Sequence, residues 1–459
     1  MNTLLTSLRT HCDAHFFGRL ISIGLPIALQ TMLFSSRSLV DILMLGQLGE
    51  ADVAAIGVAG KALFVATILI FGVTTGGSML TAQYWGAGNM EGFRRKTALT
   101  VVMTSAAASV FALVFLFMAD QVMGLATNDP TVIALGAEYL QITGIAMITV
   151  ALGSSLSVSL RAMNKPAIST WFSFVGISLN IGLNWLLIFG HFGFPAMGIA
   201  GAAWATLISG IVEVGLFYLY VYRKNLAAAF HLQHIIEAFE PEGMKRFMSL
   251  SLPTAANHLI WSSGIFVYLA ILGQAGVEGL AALSVITPIE SFALALLIGL
   301  SNAASVVMGN QLGANRLDVV YPQAWGIALF SFVGAVLIAA VMLLVCQPVL
   351  SLFSALSPST MALTEKFYWV FAGMLVLKSV PMSMIVGVLR AGGDIRYCLY
   401  QDIAAQWMIG IPIVAFAAFV LKLPLEWVYA LFAVEEVVKW IGSIYRVRAK
   451  VWIKNLVGV

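Results

Sequence analysis

Long apolar runs separated by short polar breaks dominate the chain. Between clusters of charge, glycine and proline, these runs continue over about 20 to 30 residues without alternating between apolar and polar positions. A helix needs about 20 apolar residues to cross the hydrocarbon core of a bilayer, whereas strands of a membrane barrel alternate over about ten. The pattern therefore predicts membrane-spanning α-helices, and twelve of them fit the chain.

The predicted spans fall into two sets of six. The first set covers residues 18–46, 53–83, 97–119, 131–160, 166–190 and 198–222. The second set covers residues 247–272, 279–309, 323–346, 361–389, 398–420 and 427–445. The longest polar break lies between the two sets. We therefore predict a cytoplasmic N-terminus (1–17), an N-lobe (18–222), a cytoplasmic linker (223–246), a C-lobe (247–445) and a cytoplasmic C-terminal tail (446–459).

Lysine and arginine cluster in alternate loops. The loops after spans 2, 4, 6, 8 and 10 and the C-terminal tail hold most of them, including Arg94, Arg161, Arg223, Arg316, Arg396 and Arg448. The other loops carry acids such as Glu50, Asp120 and Glu278, with Lys422 as the clear basic residue. Loops rich in lysine and arginine face the cytoplasm. Both termini are therefore expected there, in agreement with an even number of spans.

The chain also aligns with itself after a shift of 227 residues. LPIALQTMLFSSRSLVDILMLGQLG, which begins at Leu25, then lies over LPTAANHLIWSSGIFVYLAILGQAG, which begins at Leu252. Proline, glycine and glutamine shared at fixed register are a stronger signal than matching apolar residues. The repeat predicts an all-α polytopic membrane protein with two six-helix bundles related by a pseudo-twofold axis along the membrane normal. This arrangement is typical of alternating-access transporters.

Composition and motifs narrow the class of function. Of the 459 residues, 60% are apolar and 10% are charged, whereas a soluble domain carries about 25% charged residues; a soluble globule is therefore excluded. The three cysteines (Cys12, Cys346 and Cys398) are too few and too scattered for a disulfide framework or a metal cage. Motifs for nucleotide binding, zinc proteolysis and serine hydrolysis are missing. We expect no enzyme, metal or cofactor, and transport driven by an ion gradient.

Asp41 is the most informative polar residue inside a span. It lies five residues before Gly46, and therefore about 7 to 8 Å from the outer end of span 1. A carboxyl group in the hydrocarbon is costly, so its affinity for H⁺ or Na⁺ should depend on the surrounding conformation. Arg37 lies one turn earlier on the same face. It could pair with Asp41, reach into a water-filled cleft or meet an anionic substrate, and the sequence leaves these alternatives open.

Span 5 carries two asparagines on one face. Asn180 and Asn184 are four residues apart, so their amides project together and could accept from a protonated carboxyl group or bind a cation. Tyr139 in span 4 and Thr206 in span 6 could complete a polar cluster. The alternative is a set of hydrogen bonds that only joins the helices.

The second half offers weaker candidates. The position equivalent to Asp41 is Tyr268, and we place His258, Tyr268, Glu290 and Arg37 along the substrate path. Several other ionisable residues show no spacing typical of a ligand set: Glu213, Lys378, Asp402, Glu435, Glu436 and Lys439. The 20 methionines and 28 phenylalanines favour loose binding of apolar cations, because thioethers are flexible and aromatic faces attract cations.

Several segments resemble the multidrug and toxic compound extrusion (MATE) family over about residues 18–445. The resemblance rests on LPIALQ and LVDILMLGQLG in span 1, AQYWGAGN after span 2, LRAMNKP after span 4, NIGLNWLLIFG in span 5 and GIAGAAWAT into span 6. ILGQAG, GNQLGAN and VLRAGGD repeat parts of the pattern in the second half. The resemblance implies two bundles around a V-shaped cleft and export of cationic or amphipathic drugs in exchange for H⁺ or Na⁺. We expect a monomer in the bacterial inner membrane whose partners are drugs and lipid, with no nucleic acid.

The resemblance also assigns roles to individual positions in the first half. Asp41 matches the family's acid in span 1. Asn180 and Asn184 match the pair in span 5, whose second member is aspartate in some branches and asparagine here. Tyr139 and Thr206 match polar positions in spans 4 and 6.

The second half departs from the family pattern. Members with a cation site in the second lobe carry acids where this chain has Ile260 and Ser379. The resemblance therefore implies coupling through the first lobe, with H⁺ favoured over Na⁺. The alternative is a flippase for a lipid-linked saccharide on a related fold, which often lines its cleft with several cations and carries extra helices. Here Arg37 and Lys378 are the candidates for such cations.

Overall fold

The computed structural model describes residues 10–351 and 357–457, apart from the side chain of Val277. Residues 1–9 and 458–459 of the predicted termini lie outside the described residues. Within the described ranges all regular secondary structure is helical.

Among the described residues, twelve principal helices follow the order of the twelve predicted spans. In the first half they are α1 (Ala14–Leu45), α2 (Glu50–Gly86), α3 (Met90–Phe117), α4 (Pro130–Ala162), α5 (Pro166–Phe189) and α6 (Gly198–Arg223). In the second half they are α7 (Pro241–Ala275), α8 (Val277–Gly313), α9 (Leu317–Leu344), α10 (Pro358–Met382), α11 (Ile395–Asp402) and α12 (Ala433–Arg448). Shorter helices lie between them at Ala119–Gly124, Leu232–Ala238, Cys346–Leu350 and Leu425–Ala430.

Two of the helices continue with altered winding. α10 runs on through π-helical turns at Ser383–Leu389. α11 is extended by π-helical turns at Ile403–Gly410 and Phe416–Val420, with a short α-helix between them. Such turns are rare and frequently lie at functional sites.

The described helices are long and apolar enough for a membrane protein. Eleven segments of the described chain, which correspond to α1 through α11 with their extensions, meet the length and hydropathy expected of a membrane span. α12 carries more charge, with acids in its first turn and Arg446 and Arg448 in its last. The prediction of an all-α polytopic membrane protein with twelve helices is confirmed.

Local sequence explains several helix ends. Asn89 accepts from the backbone N–H of Gly92 at the start of α3, and Asp129 accepts from two backbone N–H groups at the start of α4. These side chains satisfy donors that the first helical turn leaves free. Gly190 ends α5 with a φ of 72°, a left-handed conformation that glycine adopts without steric cost.

The chain forms two compact units whose boundaries fall inside helices. The N-unit is Gln30–Ala256, and the C-unit combines the chain up to Leu29 with the chain from Asn257 onward. The first part of α1 therefore packs with helices of the second half, and the first part of α7 packs with helices of the first half. The sequence pattern, which places a linker at residues 223–246, does not indicate this exchange.

Small residues allow α1 and α7 to pack closely against helices of the other half of the chain. In the C-unit, a Cβ atom at Gly24 of α1 would lie 3.3 Å from the carbonyl oxygen of Gly299 in α8. In the N-unit, Gly72 of α2 packs against the backbone of Ala255 in α7. Gly299 also packs against Ala28 of α1. A shift of 227 residues carries Gly72 onto Gly299 and Ala28 onto Ala255, so the two crossings follow the sequence repeat. Glycine at such crossings lets helix backbones approach closely.

Candidate functional site

A chain of side-chain contacts joins α1, α5 and α6 inside the N-unit. The amide of Asn184 donates to Asp41 Oδ1 across 2.5 Å. Asn184 Nδ2 also lies 3.4 Å from Asn180 Oδ1, and Asn180 Nδ2 lies 3.4 Å from Thr206 Oγ1. Both asparagines are fully buried, whereas the Asp41 side chain is 20% exposed. The structure thus brings together four of the residues singled out in the sequence.

Arg37 and Asp41 form a loose ion pair on α1. Arg37 Nε lies 3.8 Å from Asp41 Oδ2, which is within ion-pair range and too long for a good hydrogen bond. The arginine side chain is 21% exposed. Arg37 therefore lowers the cost of a charged Asp41, yet its guanidinium keeps donors for other partners.

Tyr139 of α4 interacts electrostatically with the charged pair of the cluster. Its ring is 9% exposed, and it interacts electrostatically with Asp41 and Arg37. Its backbone carbonyl accepts from Thr143 Oγ1 across 2.6 Å. Its neutral hydroxyl group adds no charge to a site that already holds a carboxylate and a guanidinium.

Asn184 has one polar atom left over. Its Oδ1 is buried without a hydrogen-bond partner among the described residues. An amide has donor and acceptor ends that exchange on a half-turn of the side chain. Asn184 can therefore donate to an ionised carboxylate in the arrangement seen here, and accept from a protonated one after the turn.

A second acid of the N-unit, Glu213, is partly buried; the sequence offered it only as an isolated ionisable residue without a ligand-like spacing. Glu213 of α6 accepts from Ser173 Oγ across 2.9 Å. Ser173 in turn accepts from Gln30 Nε2 across 2.9 Å, and Gln30 Oε1 accepts from Arg161 across 2.8 Å. Arg37 also interacts electrostatically with Glu213. The four polar residues come from four helices, so no spacing along the chain reveals them.

The C-unit holds a larger network of buried charges. Lys439 of α12 lies 2.5 Å from Glu435 Oε1 and 3.2 Å from Asp402 Oδ1. Asn257 donates to Asp402 Oδ2 across 2.6 Å and accepts from Arg390 across 2.6 Å. Each of these ionisable side chains is less than a tenth exposed. Because these charges are buried, their internal pairs are needed to offset the cost of desolvation.

Three residues placed along the substrate path lie in or beside this network. Tyr268 donates to Glu435 Oε2 across 3.0 Å. His258 Nε2 lies 3.2 Å from Arg390 Nη1. Glu290 of α8 interacts electrostatically with Lys378 and Glu436. His258, Tyr268 and Glu290 thus belong to the C-unit, whereas Arg37 belongs to the N-unit.

The charges of the C-unit network do not balance. Lys378 Nζ lies 3.4 Å from Glu436 Oε1, which adds one more pair beside Glu290. The three cations are Arg390, Lys378 and Lys439, and the four carboxylates are Glu290, Asp402, Glu435 and Glu436. Glu290 and Lys378 are partly buried, whereas the other five are less than a tenth exposed. The sequence spacing of these residues shows none of this, because the pairs connect α7, α8, α10, α11 and α12.

Comparison with known proteins identifies the family. The family model described as MatE matches residues 26–186 and 253–416. The chain is 24% identical over 460 residues to an uncharacterized transporter, YisQ, of Bacillus subtilis, with 98% of each chain covered. It is 26% identical over 415 residues to a probable multidrug resistance protein NorM of Agrobacterium fabrum, with 88% of each covered.

A further relative and the solved structures agree. The multidrug resistance protein PmpM of Pseudomonas aeruginosa is 23% identical over 86% of this chain and 82% of its own. The outward-facing structure of a multidrug resistance MATE family transporter of the MOP superfamily has a TM-score of 0.86 and 18% identity, covering 94% of this chain and 96% of that one. At that identity the likeness shows the fold. With the family model matched in both halves of the chain, this protein belongs to the MATE family of membrane transporters.

Proposed function

We propose that this chain is a multidrug efflux transporter that exports cationic or amphipathic compounds in exchange for H⁺, and that Asp41 binds the coupling proton. The relatives named as multidrug resistance proteins support the efflux function. The observation that carries the coupling role is the short hydrogen bond from Asn184 to Asp41 beside Arg37. Both contacts favour the ionised form of a carboxyl group that lies inside a helix apolar enough to span a membrane.

Protonation changes the balance of this site. With Asp41 ionised, Arg37 and the Asn184 amide both favour the charge. A proton entering from outside removes the charge and weakens both contacts, and the conformation that they stabilised loses population. Substrate then leaves outward as the drug site loses affinity. Each charge that moves down the membrane potential contributes about 2.3 kcal/mol per 100 mV.

The donor at Asn184 supports H⁺ over Na⁺. A sodium ion requires several oxygen ligands directed at one point. In this cluster Asn184 directs an amide N–H at Asp41, and this donor occupies one carboxylate oxygen. A carboxyl group that is hydrogen-bonded through one oxygen still has its second oxygen to bind a proton.

Glu213 gives Arg37 a second partner in the N-unit. Arg37 interacts with both acids. When Asp41 becomes neutral, the guanidinium is therefore attracted mainly to Glu213. In this way protonation of Asp41 on α1 changes an interaction of α6. It gives the arginine a role in the cycle other than permanent neutralisation of Asp41.

The test uses the purified chain in liposomes with ethidium as the transported cation. Transport is measured under an imposed pH gradient and, separately, under an imposed Na⁺ gradient, for the wild type and Asp41→Asn. The matched control is Asp120→Asn, which removes an exposed carboxylate outside the predicted spans. We expect wild-type transport to require the pH gradient, Asp41→Asn to lose it and Asp120→Asn to keep it.

The other outcomes are equally informative. Transport that follows the Na⁺ gradient would overturn the choice of coupling ion. Full transport by Asp41→Asn at equal protein content would remove Asp41 from the coupling role. Absence of ethidium transport by a folded wild type, with uptake of a lipid-linked saccharide instead, would favour a flippase.

A further inference from the structure

α12 has its polar and apolar faces reversed relative to a helix on a water-soluble protein. Its buried face carries Glu435, Glu436 and Lys439 of the charge network. Its outward face carries Val437 and Ile441, which are 46% and 68% exposed. A helix that turns charge inward and aliphatic side chains outward is suited to contact with hydrocarbon.

The outward face forms one wall of an apolar groove. The groove has a volume of about 560 Å³ and is lined by Leu377 of α10 and by a stripe of α12 side chains from Val437 to Arg448. The lining positions on α12 recur at intervals of three and four residues, so they lie on one helix face. Val437 and Arg448 are eleven helical steps apart, which corresponds to about 16 Å. This length is close to half of the hydrocarbon thickness of a bilayer, which is about 30 Å, and so to the depth of one leaflet.

The floor of the groove is held in place by neighbouring helices. The indole N–H of Trp440 donates to the carbonyl oxygen of Leu377 across 2.5 Å. The same ring meets Phe332 of α9 edge to face, with ring centroids 6.1 Å apart. These contacts join α9, α10 and α12 and fix the floor of the groove.

One end of the groove is basic. Arg448 lines the groove and lies over the ring of Trp325, 5.8 Å from its centroid. Lys450 follows two residues later, outside the groove lining, and lies 4.4 Å from the centroid of Tyr321, which is one helical turn from Trp325 on α9. Among the described residues, neither Arg448 nor Lys450 forms an ion pair with a carboxylate. Arg446, in contrast, is neutralised by two hydrogen bonds to Asp394 at 2.5 and 2.9 Å.

We propose that this groove binds one anionic phospholipid, with an acyl chain along the α12 stripe and the phosphate at Arg448 and Lys450. The stripe supplies apolar contact over the depth of one leaflet, and the two cations supply the complementary charge at its end. An anionic headgroup fits better than a zwitterionic one, because the ammonium of the latter offsets the attraction of its phosphate to the cations. Aromatic side chains beside the cations, such as Tyr445 and Trp325, are typical of the membrane–water interface. The basic end lies on the face predicted to be cytoplasmic.

The test measures lipid binding to the full chain in detergent by native mass spectrometry. Phosphatidylglycerol and phosphatidylcholine with identical acyl chains are titrated against the wild type, Arg448→Gln/Lys450→Gln, and Ile441→Trp, which fills the groove without changing charge. The matched control is Arg223→Gln/Lys224→Gln, which removes two exposed cations on the same predicted membrane face. The unfolding temperature is followed with each lipid.

The proposal makes distinct demands on each variant. The wild type binds one phosphatidylglycerol in preference to phosphatidylcholine and unfolds at a higher temperature with it. Arg448→Gln/Lys450→Gln binds phosphatidylglycerol about tenfold more weakly, since each cation near an anionic lipid contributes a several-fold gain. Ile441→Trp weakens both lipids, and the control changes neither.

Three results would overturn the assignment. Equal binding of the two lipids by the wild type would show that the groove does not select an anionic headgroup. Equal losses in Arg448→Gln/Lys450→Gln and in the control would reduce the effect to general surface charge. A dimer that dissociates in Ile441→Trp would show that this face contacts a second copy of the chain instead of lipid.

Discussion

The amide of Asn184 donates to Asp41 Oδ1 across 2.5 Å and so connects α5 to α1 in the N-unit. The same amide nitrogen lies 3.4 Å from Asn180 Oδ1, while Asn184 Oδ1 is buried without a partner among the described residues. The Asn184 amide thus directs its N–H donor at the Asp41 carboxylate, while its oxygen accepts no hydrogen bond from a described residue. A neutral amide at this position leaves Asp41 as the single carboxyl group of the contact.

Asn184→Asp should move the pH dependence of transport. The change places a second carboxyl group against Asp41, and two adjacent carboxylates resist ionising together. We expect the pair to keep a proton at higher pH, so the pH profile of ethidium transport in liposomes shifts upward. Asn225→Asp, an exposed substitution in the turn after α6, is the control. An unchanged profile in Asn184→Asp would place the Asn184 contact outside the proton-binding step.

Arg37→Gln should shift the same profile in the same direction. The guanidinium 3.8 Å from Asp41 favours the carboxylate form. Without the guanidinium, Asp41 holds its proton at higher pH. Release of that proton then becomes slower than its uptake at alkaline pH. The pH profile of the variant is compared with that of Arg223→Gln, whose side chain is exposed. If Arg37 instead binds an anionic substrate, the profile keeps its position and the apparent affinity for that substrate falls.

Asn180→Ala should lower transport without unfolding the protein. The residue is fully buried, and its contacts to Asn184 and Thr206 are long, at 3.4 Å each. Their loss costs about 1 kcal/mol of stability, but it releases the amide that holds Asn184 in register. Transport and unfolding temperature are measured together, with the exposed Asn128→Ala as control. Wild-type transport by Asn180→Ala would leave this residue with a packing role.

Lys439→Met should destabilise the protein strongly. The change leaves Asp402 and Glu435 buried without their shared cation, and breaking a buried pair from one side costs about 3 to 5 kcal/mol. Lys366→Met removes one partner of an exposed pair with Glu426, for which the cost is about 1 kcal/mol or less. Unfolding in detergent distinguishes the two variants. Adding Glu435→Gln to Lys439→Met should restore part of the stability, and failure to do so would argue against charge as the cause.

The thiol of Cys12 should react slowly at neutral pH. Burial, together with the charge of Asp13, raises the pKa of Cys12 to about 11, and the thiolate is the reactive form. Labelling by a maleimide should therefore accelerate as the pH rises toward 11. Asp13→Asn removes the unfavourable charge and should label faster at the same pH, with Cys12→Ser identifying the signal. Rapid labelling of the wild type at pH 7 would contradict the raised pKa.

The same shift has a defined sign for stability. The folded state favours the neutral thiol, so the contribution of Cys12 is fully present below the pKa of an unfolded cysteine, about 8.5. It is lost as the pH rises through the folded value of about 11. Between these values the free energy of unfolding should fall with pH in the wild type and fall less steeply in Cys12→Ser.

Patterns that act over a few residues were readable from the sequence. The helices follow the predicted spans because the length of an apolar run is a local property, and the fold class follows from it. Asn180 and Asn184 share a face because they are four residues apart on one helix. The twelfth span differs, since Leu425–Ala430 and Ala433–Arg448 are separate helices and the second carries several charges.

The partners of buried charges were decided by the tertiary structure alone. Glu213 of α6 accepts a hydrogen bond from Ser173 of α5, and Lys439 of α12 forms an ion pair with Asp402 of α11. These contacts depend on how each helix is rotated and where it crosses its neighbours. Close crossings, such as that of Gly24 with Gly299, fix the rotation and the crossing point. The sequence by itself determined which segments are helical and apolar and that an acid lies inside α1. Only the packing of the helices decided which polar side chains face one another, because those pairs are far apart along the chain.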